Sequence, residues 1–239
     1  MIFGDYHVHS FYSKDAKASI QEILDEAISK NLREVAITDH SYFHAYGIKK
    51  GMLSDLYNDV EIMNNKSNVH VLRGIEANII DQKGNIDFSK EEQAKAEVVI
   101  LAYHKSFGKG FSKILAHNKM KKDDPKTIEK NTQAYITAME NNKINIIAHL
   151  NYAAKVNCEE IAKYCKEHNI FIELNGRKNA MSDEELRKVI DTGVQFIITS
   201  DAHTRERVGD VRLGLTIIEK FNIPEWQIAN LNKVPVFTK

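Results

Sequence analysis

The chain has 239 residues, of which 43% are hydrophobic, and α/β barrels reach this length as a single unit. Its 33 basic and 33 acidic residues cancel, so no overall positive field favours a nucleic acid partner. The composition leaves open a small anionic substrate that is bound by local charges. We therefore expect one domain over residues 1–239 that acts on a small molecule.

The N-terminal sequence lacks the basic start, apolar run and cleavage site of a secretory signal. The longest apolar runs are far shorter than the ~20 residues that a membrane helix needs. Cys158 and Cys165, the 2 cysteines of the chain, are too far apart on a predicted helix to form a disulfide. We expect a cytoplasmic protein with reduced thiols and no membrane partner.

Short β-type runs alternate along the chain with longer amphipathic stretches, the pattern of βα units around a parallel sheet. Most of the runs are apolar nearly throughout, as strands buried on both faces should be, which favours a barrel over an open sheet. Seven strands are predicted, at residues 2–8, 34–38, 69–76, 97–103, 144–148, 170–174 and 195–199.

Helix start signals lie between these runs. They are two capping boxes, Ser19 with Glu22 and Ser182 with Glu185, and Asp124 before Pro125 as a cap followed by proline. Between His40 and Val69, apolar residues at helical spacing predict a loop followed by a helix that packs on the core. The lysine-rich stretch 106–122 has no clear period and is predicted to be a loop beside the active site.

Candidate metal ligands follow the carboxyl ends of the predicted strands, the end at which α/β barrels carry their active sites. His7 and His9 lie two residues apart on the first strand, so both rings should point to the same side. Imidazoles combined with carboxylates suit zinc, manganese or iron, whereas calcium sites are all oxygen and structural zinc sites usually contain cysteine. The set exceeds the needs of one ion, so we expect two or three, with Glu76 or Asp201 as a bridge. The predicted ligands are His7, His9, Asp15, His40, Glu76, His104, His149, Asp201 and His203.

The remaining histidines lie off the strand ends and are expected to be structural or exposed. They are His44, His70, His117 and His168. His44 is the least certain of these, because it lies in the loop that follows His40. Asp5 and Asp39 neighbour predicted ligands and are candidates to hold a ring N–H of a ligand histidine.

The ligand motifs resemble those of the PHP family, named for polymerase and histidinol phosphatase domains. They are Asp5-Tyr6-His7-Val8-His9-Ser10, Thr38-Asp39-His40, Gly74-Ile75-Glu76-Ala77-Asn78, Tyr103-His104, Ala148-His149 and Ser200-Asp201-Ala202-His203, in the family's order. Residues 72–78 and 131–134 particularly resemble its compact stand-alone bacterial phosphatases, known as YcdX-like. The resemblance covers nearly the whole chain and implies a distorted (βα)7 TIM-like barrel with a trinuclear site.

The resemblance also suggests how the ligands divide among the ions. The first ion would be held by His7, His9, Glu76 and Asp201, the second by Glu76, His104 and His149, and the third by Asp15, His40 and His203. Asp15 departs from the close phosphatase relatives, which usually have histidine there. A carboxylate is a harder ligand, and it shifts the third site toward manganese or iron.

The predicted function is hydrolysis of phosphate esters by metal-activated water, most simply of a phosphomonoester of a small metabolite, as in a histidinol phosphatase. Asp201 and His203 are candidate proton relays. Three basic residues near strand ends, Arg177, Lys105 and Arg205, are candidates to bind the phosphate group. Neither the substrate alcohol nor an oligomeric state follows from the sequence.

Three alternatives remain. A metal-dependent amidohydrolase shares the His-x-His pair, but that class usually takes its bridging ligand from the fourth strand and has eight strands. A nuclease or phosphodiesterase of the PHP family uses the same metal chemistry, although the balanced charge argues against a polyanionic substrate. A non-catalytic metal-binding domain is disfavoured by the complete ligand set.

Overall fold

The computed structural model describes residues 1–104 and 123–237. In this part of the chain, seven parallel strands form one sheet in the order of the sequence. The strands are β1 (Gly4–Val8), β2 (Glu34–Ile37), β3 (His70–Asn78), β4 (Val98–Ala102), β5 (Ile146–Ile147), β6 (Phe171–Asn175) and β7 (Phe196–Thr199). Every strand predicted from the sequence is present, with bounds that differ by at most two residues.

The first and last strands meet, which closes the sheet into a barrel. Val8 pairs in parallel with Ala202, just beyond β7. The amide of His9 donates to the carbonyl of Ala202 at 2.8 Å, and the amide of Ala202 donates to the carbonyl of His7 at 3.3 Å. The predicted (βα)7 TIM-like barrel is confirmed.

Helices connect the strands on the outside of the barrel. They are α1 (Ile20–Ser29), α2 (Met52–Asn64), α3 (Lys90–Gln93), α4 (Pro125–Asn141), α5 (Cys158–Glu167), α6 (Asp183–Asp191) and α7 (Arg212–Phe221). The predicted capping boxes at Ser19 and Ser182 are both present, and the Asp124 side chain accepts from the Thr127 amide before α4. Local sequence therefore sets where these three helices begin.

The apolar core has two layers because the barrel strands are covered on both faces. The larger layer lies between the strands and the helices, and a smaller cluster that includes Tyr6, Ile100 and Phe171 fills the barrel interior. Phe237 packs edge-on against Tyr6 and Phe171, with ring centroids 5.2 and 5.9 Å apart. This packing closes the amino end of the barrel and leaves the carboxyl end for polar groups.

The two cysteines lie on α5, where both are buried and free. Burial raises the pKa of Cys158 to about 12, which keeps its thiol protonated and unreactive. Among the helices that the structure describes, none combines the length and the apolarity needed to cross a membrane. The predicted loop 106–122, together with Lys105 and His117, lies outside the described residues.

Candidate metal centre

All nine predicted ligands lie at the carboxyl end of the barrel. Strand β1 carries His7 and leads to His9, β3 contains Glu76, and the others follow their strands by one to a few residues. Two of them, His149 and Asp201, have φ angles of 30° and 50°, a left-handed conformation that is rare outside glycine and recurs at functional sites. The backbone turns sharply at these positions and directs both side chains back over the barrel.

Glu76 lies at the centre of the cluster and is fully buried. Three ring nitrogens surround its Oε1: His7 Nε2 at 3.4 Å, His104 Nε2 at 3.2 Å and His149 Nε2 at 2.9 Å. Two surround its Oε2: His9 Nε2 at 3.7 Å and His40 Nδ1 at 2.5 Å. With both oxygens facing different imidazoles, this carboxylate has the position of a bridge between ions.

Asp201 and Asp15 complete the cluster from two sides. Asp201 Oδ1 lies 3.6 Å from His9 Nε2 and 3.4 Å from His203 Nδ1. Asp15 Oδ2 lies 3.4 Å from His40 Nε2 and 3.5 Å from His203 Nε2. Asp15 therefore contacts the two residues with which the family resemblance grouped it.

The donor atoms of this cluster fit metal ions better than they fit each other. Among the described residues, all but one of the buried side-chain nitrogen and oxygen atoms without a hydrogen-bond partner belong to the cluster. They include His7 Nε2, both ring nitrogens of His9 and Glu76 Oε2. An unpaired buried polar atom costs about 1–3 kcal/mol, so this concentration of unpaired atoms fits a site that binds cations.

The compact triads in the cluster agree in part with the predicted division. Ligand atoms of His7, His9 and Glu76 lie within 4.8 Å of one another, as do those of Glu76, His104 and His149. These are the cores of the first and second predicted sites. A third triad joins His40 and His203 to His9, so His9 lies between the first and third sites.

Hydrogen bonds behind the cluster fix the ring orientations. His7 Nδ1 donates to Glu173 Oε1 at 2.6 Å, and His104 Nδ1 lies 2.6 Å from the side-chain oxygen of Asn78. The Asn78 amide nitrogen donates to Ser41 and Asp87, which leaves its oxygen to accept from His104. Each Nδ1 therefore donates to its partner, and Nε2 of each ring faces Glu76, as a metal ligand would.

The sequence prediction that Asp5 and Asp39 hold a ring N–H of a ligand histidine was wrong. Asp39 accepts from the amides of Ser10 and Ser13 and from the Ser10 hydroxyl. Asp5 accepts from the Ser200 amide and hydroxyl. Both aspartates hold the ligand-bearing loops together, because their carboxylate oxygens are taken up by these amides and hydroxyls.

Burial and mutual charge set the protonation of the cluster. Burial alone would raise the pKa of Glu76, but the neighbouring rings of His104 and His40 hold it well below its usual range. Burial lowers the pKa of His104 to about 4 despite the opposing effect of Glu76. The carboxylate is therefore ionised and the His104 lone pair free near neutral pH, as metal binding requires.

A cavity of about 330 Å³ opens over the cluster, within the usual size of small-molecule pockets. Its wall includes Arg177, Lys178 and Tyr152 besides predicted ligands. Arg177 Nη1 lies 3.4 Å from Asp201 Oδ1 and 2.9 Å from His203 Nδ1, so its guanidinium borders the cluster, and its role as a phosphate contact stays a prediction. Lys178 Nζ lies 3.1 Å from the centre of the Tyr152 ring.

The other two predicted phosphate contacts have different positions. Arg205 lies in a short 3-10 turn, pairs with Glu26 at 3.3 Å and is absent from the described wall of the cavity. Lys105 lies outside the described residues.

Sequence reasoning missed Lys178 and Tyr152, which line the cavity. His44 also lines it, and it was the least certain of the histidines expected to be structural or exposed. Lys178 directly follows Arg177 after β6, and that position was the available signal. The inward turn of the loop that carries His44 has no signature in the sequence.

Comparison with known proteins settles the family. The PHP domain matches residues 5–177, a stretch that contains all the predicted ligands except Asp201 and His203. The chain belongs to the PHP family.

Several curated PHP relatives are named as phosphatases. A "Probable phosphatase" of Clostridium botulinum is 30% identical over 237 residues, which cover 95% of this chain and 89% of the relative. A second, from Acetivibrio thermocellus, is 28% identical over 235 residues, with 92% and 87% coverage. The "DNA polymerase/3'-5' exonuclease PolX" of Bacillus subtilis is 28% identical over 231 residues, but the match covers 37% of that longer protein.

Solved structures share the fold. The histidinol phosphate phosphatase of Lactococcus lactis, in complex with zinc, L-histidinol and phosphate, superposes with a TM-score of 0.62 at 17% identity, over 92% of this chain and 94% of that one. The identity is low, so this likeness bears on the PHP barrel and not on the substrate.

Proposed function

We propose that this PHP protein is a metal-dependent phosphatase that hydrolyses a phosphomonoester of a small metabolite. The observation that carries the proposal is the convergence of nine candidate ligand side chains, five of which have buried atoms without a hydrogen-bond partner, at a small cavity that has Arg177 in its wall. The curated names of the relatives at 28–30% identity support the same reaction class.

Metal ions held by these residues would lower the pKa of a water molecule and neutralise phosphate oxygens. The assignment to ions follows the predicted division, with Glu76 as the shared ligand of the first two sites. Arg177 binds and orients the phosphate, because a guanidinium meets phosphate through parallel hydrogen bonds. Asp201 and His203, 3.4 Å apart at the cavity edge, would hold a proton for the leaving alcohol.

The cavity favours a monoester over a nucleic acid. Its volume of about 330 Å³ suits a small phosphorylated metabolite, and the balanced charge of the chain provides no field for a polymer. The similarity to PolX keeps phosphodiesters as the second candidate. Histidinol phosphate is the first ester to test, since the Lactococcus protein of the same fold is named for it.

The test is a substrate screen on protein of known metal content. Purified protein is analysed for bound metals and assayed with histidinol phosphate, sugar phosphates, nucleotides, a phosphodiester and a set of amides. We expect at least two transition ions per chain and hydrolysis of monoesters, lost on chelation and restored by manganese or zinc.

A matched pair of variants controls for unspecific effects. His149→Ala should lower both metal content and activity, the latter at least 100-fold, whereas His70→Ala should change neither, because His70 is exposed on the amino end of β3. Fewer than two bound ions with no hydrolysis would contradict the proposal. Cleavage of diesters or amides alone would replace it with one of the alternatives.

A further inference from the structure

His44 lies among the predicted ligands although it is not one of them. It is 8% exposed and lines the cavity. Its ring centroid lies 3.7 Å from that of His40 and 4.5 Å from that of His104. The side chain is therefore placed between residues of the second and third predicted sites, where substrate oxygens would enter.

The loop that carries His44 is locked by its own backbone. The His44 amide donates to the carbonyl of Ser41 at 3.2 Å, and the Gly47 amide donates to the carbonyl of His44 at 3.0 Å. A Cβ at Gly47 would lie 1.8 Å from the Ser41 oxygen, so this close approach requires glycine. The backbone that carries His44 is thus held by contacts within its own loop.

A backbone hydrogen bond determines the His44 tautomer. The Tyr46 amide donates to His44 Nδ1 at 3.4 Å, and an amide N–H can only donate, so Nδ1 uses its lone pair there. The ring proton is then on Nε2.

This tautomer distinguishes a metal ligand from a hydrogen-bond donor. Ligand atoms of His40, His44 and His104 lie within 4.8 Å of one another, close enough for a fourth metal triad. A metal, however, needs a bare lone pair, and Nδ1 is occupied by the amide while Nε2 carries the proton. Within the described residues, the structure gives Nε2 no hydrogen-bond partner.

We propose that His44 binds the substrate, donating a hydrogen bond from Nε2 to a phosphate oxygen, and that it binds no metal. This inference rests on the proposed phosphatase function. A fixed donor aimed at a phosphate oxygen forms a charge-assisted bond, about twice as strong as a neutral one, and needs no rearrangement as negative charge shifts onto that oxygen.

Two variants test the inference. His44→Phe keeps a flat ring against His40 but removes both nitrogens, and His44→Gln restores an N–H donor. Metal content is measured by elemental analysis, and affinity for inorganic phosphate by calorimetry on the metal-loaded protein. We expect full metal content in both variants, phosphate binding about 10- to 100-fold weaker in His44→Phe, and partial recovery in His44→Gln.

The outcomes separate the possible roles. Loss of a metal ion from both variants would make His44 a ligand and overturn the proposal, as would unchanged phosphate affinity in metal-replete His44→Phe. His70→Phe, on an exposed site, should behave as wild type. Phosphate binding that depends on His44 in a protein that hydrolyses no ester would refute the phosphatase function and leave the anion contact in place.

Discussion

Glu173 links three structural units behind the candidate metal centre. Its Oε1 accepts from His7 Nδ1 and from the Thr199 hydroxyl, both at 2.6 Å, and its Oε2 accepts from the His149 amide at 2.6 Å. Burial alone would raise its pKa, but the pairing with His7 lowers it. An ionised acceptor at this position makes the His7 Nε2 lone pair more basic and fixes its direction.

Glu173→Gln should weaken metal binding although it replaces none of the predicted ligands. The amide keeps the shape but loses the charge that orients His7, and such partners are usually worth 10- to 100-fold in metal affinity. Chelator competition followed by elemental analysis measures the change. Glu167→Gln, on the exposed end of α5, is the control, and equal affinities for the two variants would remove Glu173 from this role.

The positions of the candidate ligands could be predicted from the sequence, but their supporting groups could not. His7, His104 and Asp201 are marked by their place at strand ends, which follows from local pattern alone. Glu173 and Asn78 act through contacts across the barrel, and those contacts depend on register and side-chain direction. The role of His44 depends on a loop conformation, which periodicity does not encode.

At the scale of elements, helix α7 packs tightly on the sheet. Gly214 is buried on its inner face, and a Cβ there would lie 2.5 Å from Ile198 Cγ2 of β7. A glycine inside a helix usually costs stability relative to alanine. Here it permits the close approach that holds β7, and with it the segment leading to Asp201, against the barrel.

Gly214→Leu should destabilise the fold. The added side chain must displace Ile198 or the helix, at a cost of about 1–3 kcal/mol in the free energy of unfolding. Urea unfolding followed by circular dichroism measures it. Glu219→Leu, on the exposed face of the same helix, is the control, and its free energy of unfolding should stay within about 0.5 kcal/mol of wild type. An equally small change in Gly214→Leu would show that the helix and Ile198 can move apart at little cost.

Element type was predictable where one signal dominated. Capping boxes and apolar runs identified helices and strands because both are local. Strand bounds were less accurate, as β5 shows: the assigned strand is Ile146–Ile147, yet the Ala148 amide still donates to the Leu101 carbonyl at 3.0 Å. Pairing with β4 thus continues toward His149, as the predicted run 144–148 indicated.

At the scale of the whole molecule, the buried carboxylates at the candidate metal centre lower the stability of the fold unless cations bind them. Glu76, Glu173 and Asp201 are buried within one end of the barrel, and buried charges are costly without partners. Metal ions that bind only the folded chain stabilise it by mass action.

Removal of metal should therefore lower thermal stability. At a free metal concentration about 1,000 times the Kd, the stabilisation is about 4 kcal/mol, which corresponds to roughly 10 °C in Tm for a domain of this size. Calorimetry with and without chelator measures the shift, and Glu76→Gln should reduce it. An unchanged Tm after verified metal loss would contradict a structural contribution of the ions.

The barrel seam at Ala202 has a consequence for biosynthesis. The hydrogen bonds that join β1 to the segment after β7 are flanked by His7 and His9 on one side and by Asp201 and His203 on the other. The first predicted site thus draws on the beginning and the end of the barrel. A nascent chain cannot complete it until residue 201 has left the ribosome, so we expect stable metal loading only after the seam has closed.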